Sequence, residues 1–255
     1  MSILYDAIII GGGACGLMCA AQAGLIGKKT LVLERNDKVG AKILISGGGR
    51  CNYTNIGSSP ANFISENPDF LHGIFKQWTV DDTITFFEQY GIVGHEKTLG
   101  QLFPETNKAK DIVAVFSKIL YETGQDIALN TLVKSVEKND NGFVVTVENS
   151  KGESRYHAHK VVVSSGGLPV QKLGASDFGV RLAKQFGLNV VGTAPALVPL
   201  TITGKDADWY SSLAGNSVFS KVSVAGMSFE ENILFTHWGL SGPAILQISS
   251  YWRPG

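Results

Sequence analysis

The sequence AIIIGGGACG, residues 7–16, decides the fold that we expect for this chain. Residues 7–10 form a short, continuous apolar run typical of a buried strand, and residues 14–26 have helical spacing with many small side chains. A second strand-like run follows at residues 30–33. Strand, glycine turn, helix and strand in this order predict the start of a parallel α/β sheet.

Three glycines in this stretch, Gly11, Gly13 and Gly16, form the pattern G-x-G-x-x-G between strand and helix. The first glycine suits a tight turn, the second a close approach to a pyrophosphate, and the third the packing of helix on strand. Glu34 ends the second strand, 18 residues after Gly16, where an acidic side chain can bind a ribose. The combination predicts a Rossmann-type dinucleotide site, against the alternative that the glycines serve only a turn.

A second glycine cluster lies in ILISGGGRCNYTN, residues 43–55. Its backbone N–H groups can approach phosphate or flavin oxygens without steric hindrance, which favours FAD over NAD as the dinucleotide. A flexible surface loop is the alternative interpretation. The glycines and polar side chains that we predict to contact the cofactor here are Lys42, Gly47, Gly48, Gly49, Arg50 and Asn52.

The rest of the chain predicts two domains, an FAD-binding domain over residues 1–194 and a mostly β domain over residues 195–255. Helices are expected at residues 79–91, 109–121 and 177–186, an antiparallel meander at 132–156, and a buried strand at 161–164. This last strand ends at Gly166 and Gly167, which either pass close to the cofactor or form an ordinary turn.

Composition excludes several classes of protein. Twenty-two basic residues balance twenty-two acidic residues, so no broad charge favours a nucleic-acid partner or a membrane surface, and we expect neither. A local basic patch is compatible with this composition. The first residues lack the features of a secretion signal, which predicts a cytoplasmic protein. Three cysteines do not indicate a disulfide framework, and the five histidines lack the spacing of metal ligands, so no metal site is predicted.

Two side chains are candidates for redox or acid–base chemistry. Cys51 follows the second glycine cluster but has no C-x-x-C partner, so a packed thiol beside the flavin is the better interpretation. His237, in FTHWGLSGP, precedes a glycine-rich turn and is the one candidate catalytic residue, with a structural histidine as the alternative.

Four segments together resemble a family of bacterial flavoproteins that includes aminoacetone oxidase and the dehydro-bile-acid reductases. They are residues 8–55, HEKTLGQLFP at 95–104, residues 161–200, and LFTHWGLSGPAILQIS at 234–249. The resemblance implies that Gly11, Gly13, Ala14 and Gly16 surround the FAD pyrophosphate. It also implies that Glu34 binds the ribose with Arg35 and Lys42 nearby, that residues 47–52 lie against the cofactor, and that the Val133 backbone meets the adenine edge.

The resemblance further implies an FAD-dependent oxidoreductase that acts on a small organic substrate, with oxygen or NAD(P)H as redox partner. Only one dinucleotide fingerprint is present, so NAD(P)H would visit the flavin transiently. Family members usually continue further, so we expect a C-terminally truncated chain, and a non-catalytic FAD-binding fragment is one alternative. A flavoprotein of tRNA modification is another, opposed by the neutral charge. The substrate and the oligomeric state are left open.

Overall fold

A computed structural model describes residues 3–253 of the chain. The helices are α1 (Ala14–Leu25), α2 (Ala41–Ile45), α3 (Pro68–Gln77), α4 (Val80–Gln89), α5 (Ala109–Glu122), α6 (Phe178–Gln185), α7 (Ala207–Ser212) and α8 (Pro243–Ile248). The strands are β1 (Leu4–Ile10), β2 (Thr30–Leu33), β3 (Thr54–Asn55), β4 (Gly94–Glu96), β5 (Gln101–Pro104), β6 (Asp126–Ala128), β7 (Leu132–Asn139), β8 (Gly142–Asn149), β9 (Gly152–Val163), β10 (Leu200–Thr201), β11 (Ser217–Val224), β12 (Met227–Thr236) and β13 (Gly239–Ser241).

The largest sheet has six strands in the order β6-β2-β1-β9-β8-β7. Strands β6, β2, β1 and β9 are parallel, whereas β9, β8 and β7 form an antiparallel meander. This arrangement confirms the predicted Rossmann-type α/β fold with its meander. The expected separate strand at residues 161–164 is wrong, because β9 runs without a break from the meander into the parallel sheet. Its first part pairs with β8 and its last part with β1.

The two faces of this sheet bury two hydrophobic clusters. Ile9 and Val32 point to one face, where they pack with Leu17 of α1 and Phe116 of α5. Ile8, Ile10, Leu31 and Leu33 point to the opposite face, with the meander and Leu182 of α6. The alternation follows from the two-residue period of a strand, and burial on both faces explains why β1 and β2 are continuously apolar.

Helix α4 begins where its sequence predicts. Thr79 and Asp82 form a capping box, in which the Asp82 backbone N–H donates to the Thr79 hydroxyl at 3.1 Å and the Thr79 N–H donates to the Asp82 carboxylate at 2.8 Å. Gly91 follows the helix with a φ of 82°, the left-handed conformation of a C-terminal glycine. Helix α3, in contrast, was not predicted.

The chain divides into two compact units, residues 1–189 and 190–255. The first also holds a small antiparallel sheet, β3-β5-β4. The second contains the antiparallel sheet β10-β13-β12-β11 together with α7 and α8. The assignment of residues 1–194 to FAD and 195–255 to the substrate side stays a prediction. Across the described residues, no helix has both the length and the apolar character needed to cross a membrane.

Candidate functional site

The first unit contains a cavity of about 880 Å³ at the carboxyl ends of the parallel strands. Ile10 at the end of β1, Leu33 at the end of β2, and Ser164 after β9 line it. Strand β1 lies between β2, which is the next strand of this sheet along the chain, and β9, which comes much later. The strand order therefore switches direction at β1. Ligands of open α/β sheets bind at such a switch in strand order, and the volume lies in the range of about 300–1,000 Å³ usual for ligand pockets.

The three fingerprint glycines have different surroundings. A Cβ atom on Gly11 would lie 2.5 Å from the Ser164 carbonyl oxygen, and one on Gly16 would lie 1.9 Å from the Gly11 oxygen. Gly11 also has a φ of 109°. A Cβ on Gly13 would meet no atom within 4 Å, although Gly13 lines the cavity. Gly11 and Gly16 therefore serve close packing, and Gly13 leaves space for a ligand.

The N-terminus of α1 opens into this space. Gly13 caps this 12-residue helix without a side-chain hydrogen bond, and the first turn has no acidic residue. Ala14 and Cys15 of that turn line the cavity. The unpaired N–H groups and the helix dipole make this end suitable for an anion such as a pyrophosphate.

Glu34 lies directly after β2, and only 7% of its surface is exposed. One carboxylate oxygen accepts the Gly12 N–H at 2.8 Å. The other accepts the backbone and side-chain N–H groups of Asn36, both at 2.8 Å. A carboxylate has about four acceptor positions, so one remains for a ligand hydroxyl. The buried acid is therefore held in place and can still accept a hydrogen bond.

Most of the predicted cofactor residues line the cavity: Gly11, Gly13, Ala14, Glu34, Arg35, Lys42, Cys51, Asn52, Val133 and Gly166. The structure brings these residues together from six separate segments. Gly16, Gly47, Gly48, Gly49, Arg50 and Gly167 are not among its lining residues. Their contact with a cofactor stays a prediction.

The second glycine cluster forms a tight left-handed turn. Gly47, Gly48 and Gly49 have φ angles of 55°, 69° and 84°, a conformation that glycine adopts at little cost. The Gly49 carbonyl accepts the Ala109 N–H at 2.9 Å, which ties the turn to the start of α5. The Arg50 Nε donates to the Gly47 carbonyl at 2.8 Å, so this side chain braces its own turn. These contacts favour a defined turn over the alternative interpretation of a flexible surface loop.

Cys51 is buried and belongs to the core cluster around α1 and α5. Desolvation raises the pKa of its thiol above the ordinary value, which keeps the sulfur protonated at neutral pH. A protonated, buried thiol is a poor nucleophile. This agrees with the prediction of a packed thiol, and all three cysteines of the chain are free.

Sequence reasoning missed several lining residues. Thr83, Phe87, Ile112 and Phe116 reach the cavity from α4 and α5. Nothing in their sequence distinguishes them from ordinary core positions. Ser165 was also missed, although it directly precedes the predicted Gly166. Its buried hydroxyl lacks a hydrogen-bond partner within residues 3–253, and the residue lines the cavity.

His237 lies in the second unit, in the turn between β12 and β13, and its side chain is exposed. Its catalytic role stays a prediction. Over the described part of the chain, no group of three or more His, Cys, Asp or Glu residues is placed to hold a metal ion.

Comparison with known proteins identifies similar sequences. The family model described as the HI0933-like protein Rossmann domain matches residues 5–240. A protein named ribosomal RNA dihydrouridine synthase from Escherichia coli K12 is 43% identical over 252 residues, which cover 98% of this chain and 62% of that protein. A protein of the same name from Haemophilus influenzae is 40% identical over 255 residues, which cover 100% of this chain and 63% of that protein.

More distant similarities involve two further proteins. The 3-dehydro-bile acid delta(4,6)-reductase of Clostridium scindens is 28% identical, over 97% of this chain and 60% of that protein. This chain therefore spans about three fifths of the length of these curated relatives. Among solved structures, the open conformation of a flavocytochrome c3 fumarate reductase matches with a TM-score of 0.53 and 17% identity. The match covers 86% of this chain and 47% of that one, and it supports the fold.

Proposed function

The chain belongs to the HI0933-like Rossmann-domain family, and from this premise we propose that it binds FAD and reduces uracil bases of ribosomal RNA to dihydrouracil. The observation that carries the FAD proposal is the cavity in which Gly13, the open end of α1 and Glu34 meet. The substrate proposal rests on the name shared by the two relatives that are 43% and 40% identical.

Residues of the cavity would fit three successive parts of FAD: the pyrophosphate, the adenosine ribose and the adenine. The free N–H groups at the start of α1 would bind the pyrophosphate, and the space beside Gly13 would admit it. Glu34 would accept a hydrogen bond from the adenosine ribose with its remaining acceptor position. Val133, on the first meander strand, would meet the adenine edge with its backbone.

Other lining residues would position the flavin ring. Met18, Phe87 and Phe116 give part of the wall an apolar surface, which excludes water from a bound ring system. The Ser165 hydroxyl, which has no partner among the described residues, would hydrogen-bond a polar edge of the cofactor. Burial of an unpaired hydroxyl costs about 1–3 kcal/mol, so a ligand that satisfies it gains affinity.

The proposed reaction saturates the C5–C6 double bond of uracil, which is conjugated to a carbonyl. One carbon gains a hydride and the other gains a proton, so each base consumes two electrons and two protons. The flavin, when bound, supplies the hydride, and a nicotinamide nucleotide is the proposed source of its electrons. The chain's own residues hold the cofactor and keep water from its ring.

This proposal replaces the small organic substrate that we expected, and it favours the RNA-modifying alternative, with ribosomal rather than transfer RNA. The expectation of no nucleic-acid partner rested on a net charge of zero. Net charge reports the average over the surface, whereas binding of RNA requires only a local group of cations near the site. A net charge of zero is therefore compatible with an RNA substrate, and the proposal replaces the expectation of no nucleic-acid partner.

The proposal is tested with purified protein, NADPH and deproteinised E. coli ribosomal RNA that lacks dihydrouridine. Flavin absorption in near-equimolar amount establishes the cofactor, and nucleoside mass spectrometry measures dihydrouridine. We expect dihydrouridine to accumulate as NADPH absorbance falls. A yellow protein that forms no dihydrouridine would rule out the proposed RNA substrate but support the proposed cofactor. A colourless protein that does not bind added FAD would rule out both the cofactor and the substrate.

A second candidate function is reduction of a small enone, favoured by the relative named 3-dehydro-bile acid delta(4,6)-reductase. Its substrate would also present a carbon–carbon double bond near a ring carbonyl, so the same flavin chemistry applies. Steady-state NADPH oxidation with a 3-oxo-4-ene steroid, compared with ribosomal RNA in parallel, separates the two candidates. Turnover with the steroid alone would favour the small substrate.

A further inference from the structure

Two exposed cations lie over one buried aromatic ring in the first unit, and a third exposed cation, Lys108, precedes a residue that is hydrogen-bonded to the second glycine cluster. The Arg50 guanidinium carbon lies 5.6 Å from the centroid of Phe103, and the Lys97 Nζ lies 5.7 Å from it. Lys108 immediately precedes Ala109, whose N–H donates to the carbonyl of Gly49, the neighbour of Arg50. We call Arg50, Lys97 and Lys108 the Phe103 patch. It joins the second glycine cluster to the segment HEKTLGQLFP, residues 95–104.

The Phe103 patch has a fixed base. Phe103 is 4% exposed, and a Cβ on Gly47 would lie 2.8 Å from its ring, so ring and turn are in direct contact. Arg50 is anchored to the Gly47 carbonyl through Nε alone, which leaves four of its five N–H donors free. The Arg50 guanidinium is therefore held in place, which reduces the entropy cost of binding a ligand.

The three cations of this patch form no direct ion pair within the described residues. Within residues 3–253, no carboxylate oxygen lies within 4.0 Å of Arg50, Lys97 or Lys108. The nearby acids in sequence are Glu96, Glu105 and Asp111. Glu96 accepts the Gly100 N–H at 3.1 Å, and Asp111 accepts the Thr106 hydroxyl at 2.6 Å, so these two carboxylates are oriented by neutral donors and are not paired with the cations. The patch can attract an anion.

The anion is not the pyrophosphate of the cofactor. That group is expected at the start of α1, and none of Arg50, Lys97 and Lys108 lines the cavity. Cys51 and Asn52, which directly follow Arg50, do line it. The patch thus stands one residue along the chain from the wall of the cavity, where it can hold a substrate that enters the site.

We propose that the Phe103 patch binds backbone phosphates of the RNA whose base is reduced. This inference rests on the proposed function and adds the surface that positions the substrate. Cations on a rigid surface contact phosphates without reading sequence, and each contact releases counterions. The patch would supply the local positive charge that the neutral overall composition conceals.

The test uses the double variant K97Q/K108Q, because neither lysine belongs to the proposed FAD site. The matched control is K138Q/K151Q, which removes two exposed lysines of the meander, one near the end of β7 and one between β8 and β9. Neither forms an ion pair within the described residues. Binding of labelled, deproteinised E. coli ribosomal RNA is measured between 50 and 200 mM salt, conditions over which phosphate contacts have a large effect. Flavin content and dihydrouridine formation are measured on the same samples.

We expect K97Q/K108Q to lower RNA affinity on the order of 10-fold and to reduce the salt slope by about 1 per lysine, with unchanged flavin content. The control should bind like the wild type. If K97Q/K108Q bound RNA with the affinity and salt dependence of the wild type, or if K138Q/K151Q lost as much affinity, the patch would not be the RNA-binding surface. The proposed function would be unaffected by either result. Absence of both RNA binding and dihydrouridine formation in the wild type would overturn both.

Discussion

The two glycine clusters of the first unit use the same residue for different physical reasons. In the first cluster, Gly11 and Gly16 lie where a Cβ would approach backbone oxygens to 2.5 and 1.9 Å, and Gly13 faces open space. In the second cluster, Gly48 and Gly49 have ample room, with the nearest atoms 3.8 Å from a Cβ, but both have positive φ angles. Gly16 therefore requires small size, Gly48 and Gly49 require a positive φ, and Gly11 and Gly47 require both.

This difference predicts that adding a methyl group at Gly16 lowers the stability of the protein far more than adding one at Gly48. It also separates three effects that glycine patterns usually combine: packing, ligand access and backbone conformation. The following four predictions test the comparison, beginning with the largest expected effect.

The substitution Gly16→Ala should destabilise the protein by about 3 kcal/mol or more, because its Cβ cannot be accommodated without moving the backbone between β1 and α1. Chemical denaturation followed by circular dichroism measures this loss. The matched control is Gly73→Ala in α3, an exposed helical glycine where a Cβ meets nothing within 4 Å. That control should gain roughly 0.5–1 kcal/mol. Equal stabilities for the two variants would contradict the packing role of Gly16.

The substitution Gly13→Asp should leave folding intact and lower FAD affinity on the order of 100-fold, because repulsion replaces charge-assisted hydrogen bonds of about 1.5–3 kcal/mol. Aspartate is a favourable N-cap residue, so the helix should not suffer. Fluorescence titration with FAD measures the affinity. Gly13→Asn has the same size and no charge, and it should bind FAD better than Gly13→Asp. Stoichiometric flavin in Gly13→Asp would place the pyrophosphate elsewhere.

The substitution Gly48→Ala should cost roughly 1–2 kcal/mol of stability, the cost of a left-handed conformation for a residue with a Cβ. FAD affinity should change little, since Gly48 is not among the cavity-lining residues. Gly48→Asn serves as the control, because asparagine tolerates this conformation better than alanine. Thermal unfolding and FAD titration are the measurements. A large loss of FAD affinity at wild-type stability would show that the turn contacts the cofactor.

The cysteines next to the two clusters should differ in reactivity. Cys15, in the first turn of α1, is exposed in the cavity, whereas Cys51 is buried with a raised thiol pKa caused by desolvation. At pH 8 iodoacetamide should label Cys15 first, and FAD should protect it. Because the pKa of Cys51 lies above the ordinary value of 9.0, its thiolate becomes appreciable only at higher pH. Peptide mass spectrometry follows both sites, and rapid labelling of Cys51 at pH 8 would contradict its burial.

The raised pKa of Cys51 also determines the direction in which the stability of the fold changes with pH. A thiol with a higher pKa in the folded state binds its proton more tightly there, so its contribution to stability is present below pH 9.0 and is lost as the pH rises through the folded pKa. Tyr5 behaves in the same direction. Desolvation and its hydrogen bond to Asp126 raise the pKa of its hydroxyl to about 12. Alkaline conditions should therefore weaken the first unit.

Sequence patterns predicted the local elements well where one strong signal governs each of them. The capping box of Thr79 and Asp82, the β1-α1-β2 order and the long helix α5 depend on nearby residues, and all three are confirmed. The continuity of β9 was not predictable. This strand begins as a polar meander strand and ends as an apolar strand of the parallel sheet. Because the two halves differ in composition, the sequence suggests two separate strands.

By itself, the sequence determined the Rossmann-type fold and located the cavity at Gly11, Gly13 and Glu34, because these depend on short-range geometry at the ends of strands. Tertiary structure alone decided which other side chains meet there, including Ser165, Phe87 and Phe116. It also decided that Arg50 and Lys97 share one ring, although they are 47 positions apart. Such contacts arise when distant segments pack together, and no local pattern of residues records them.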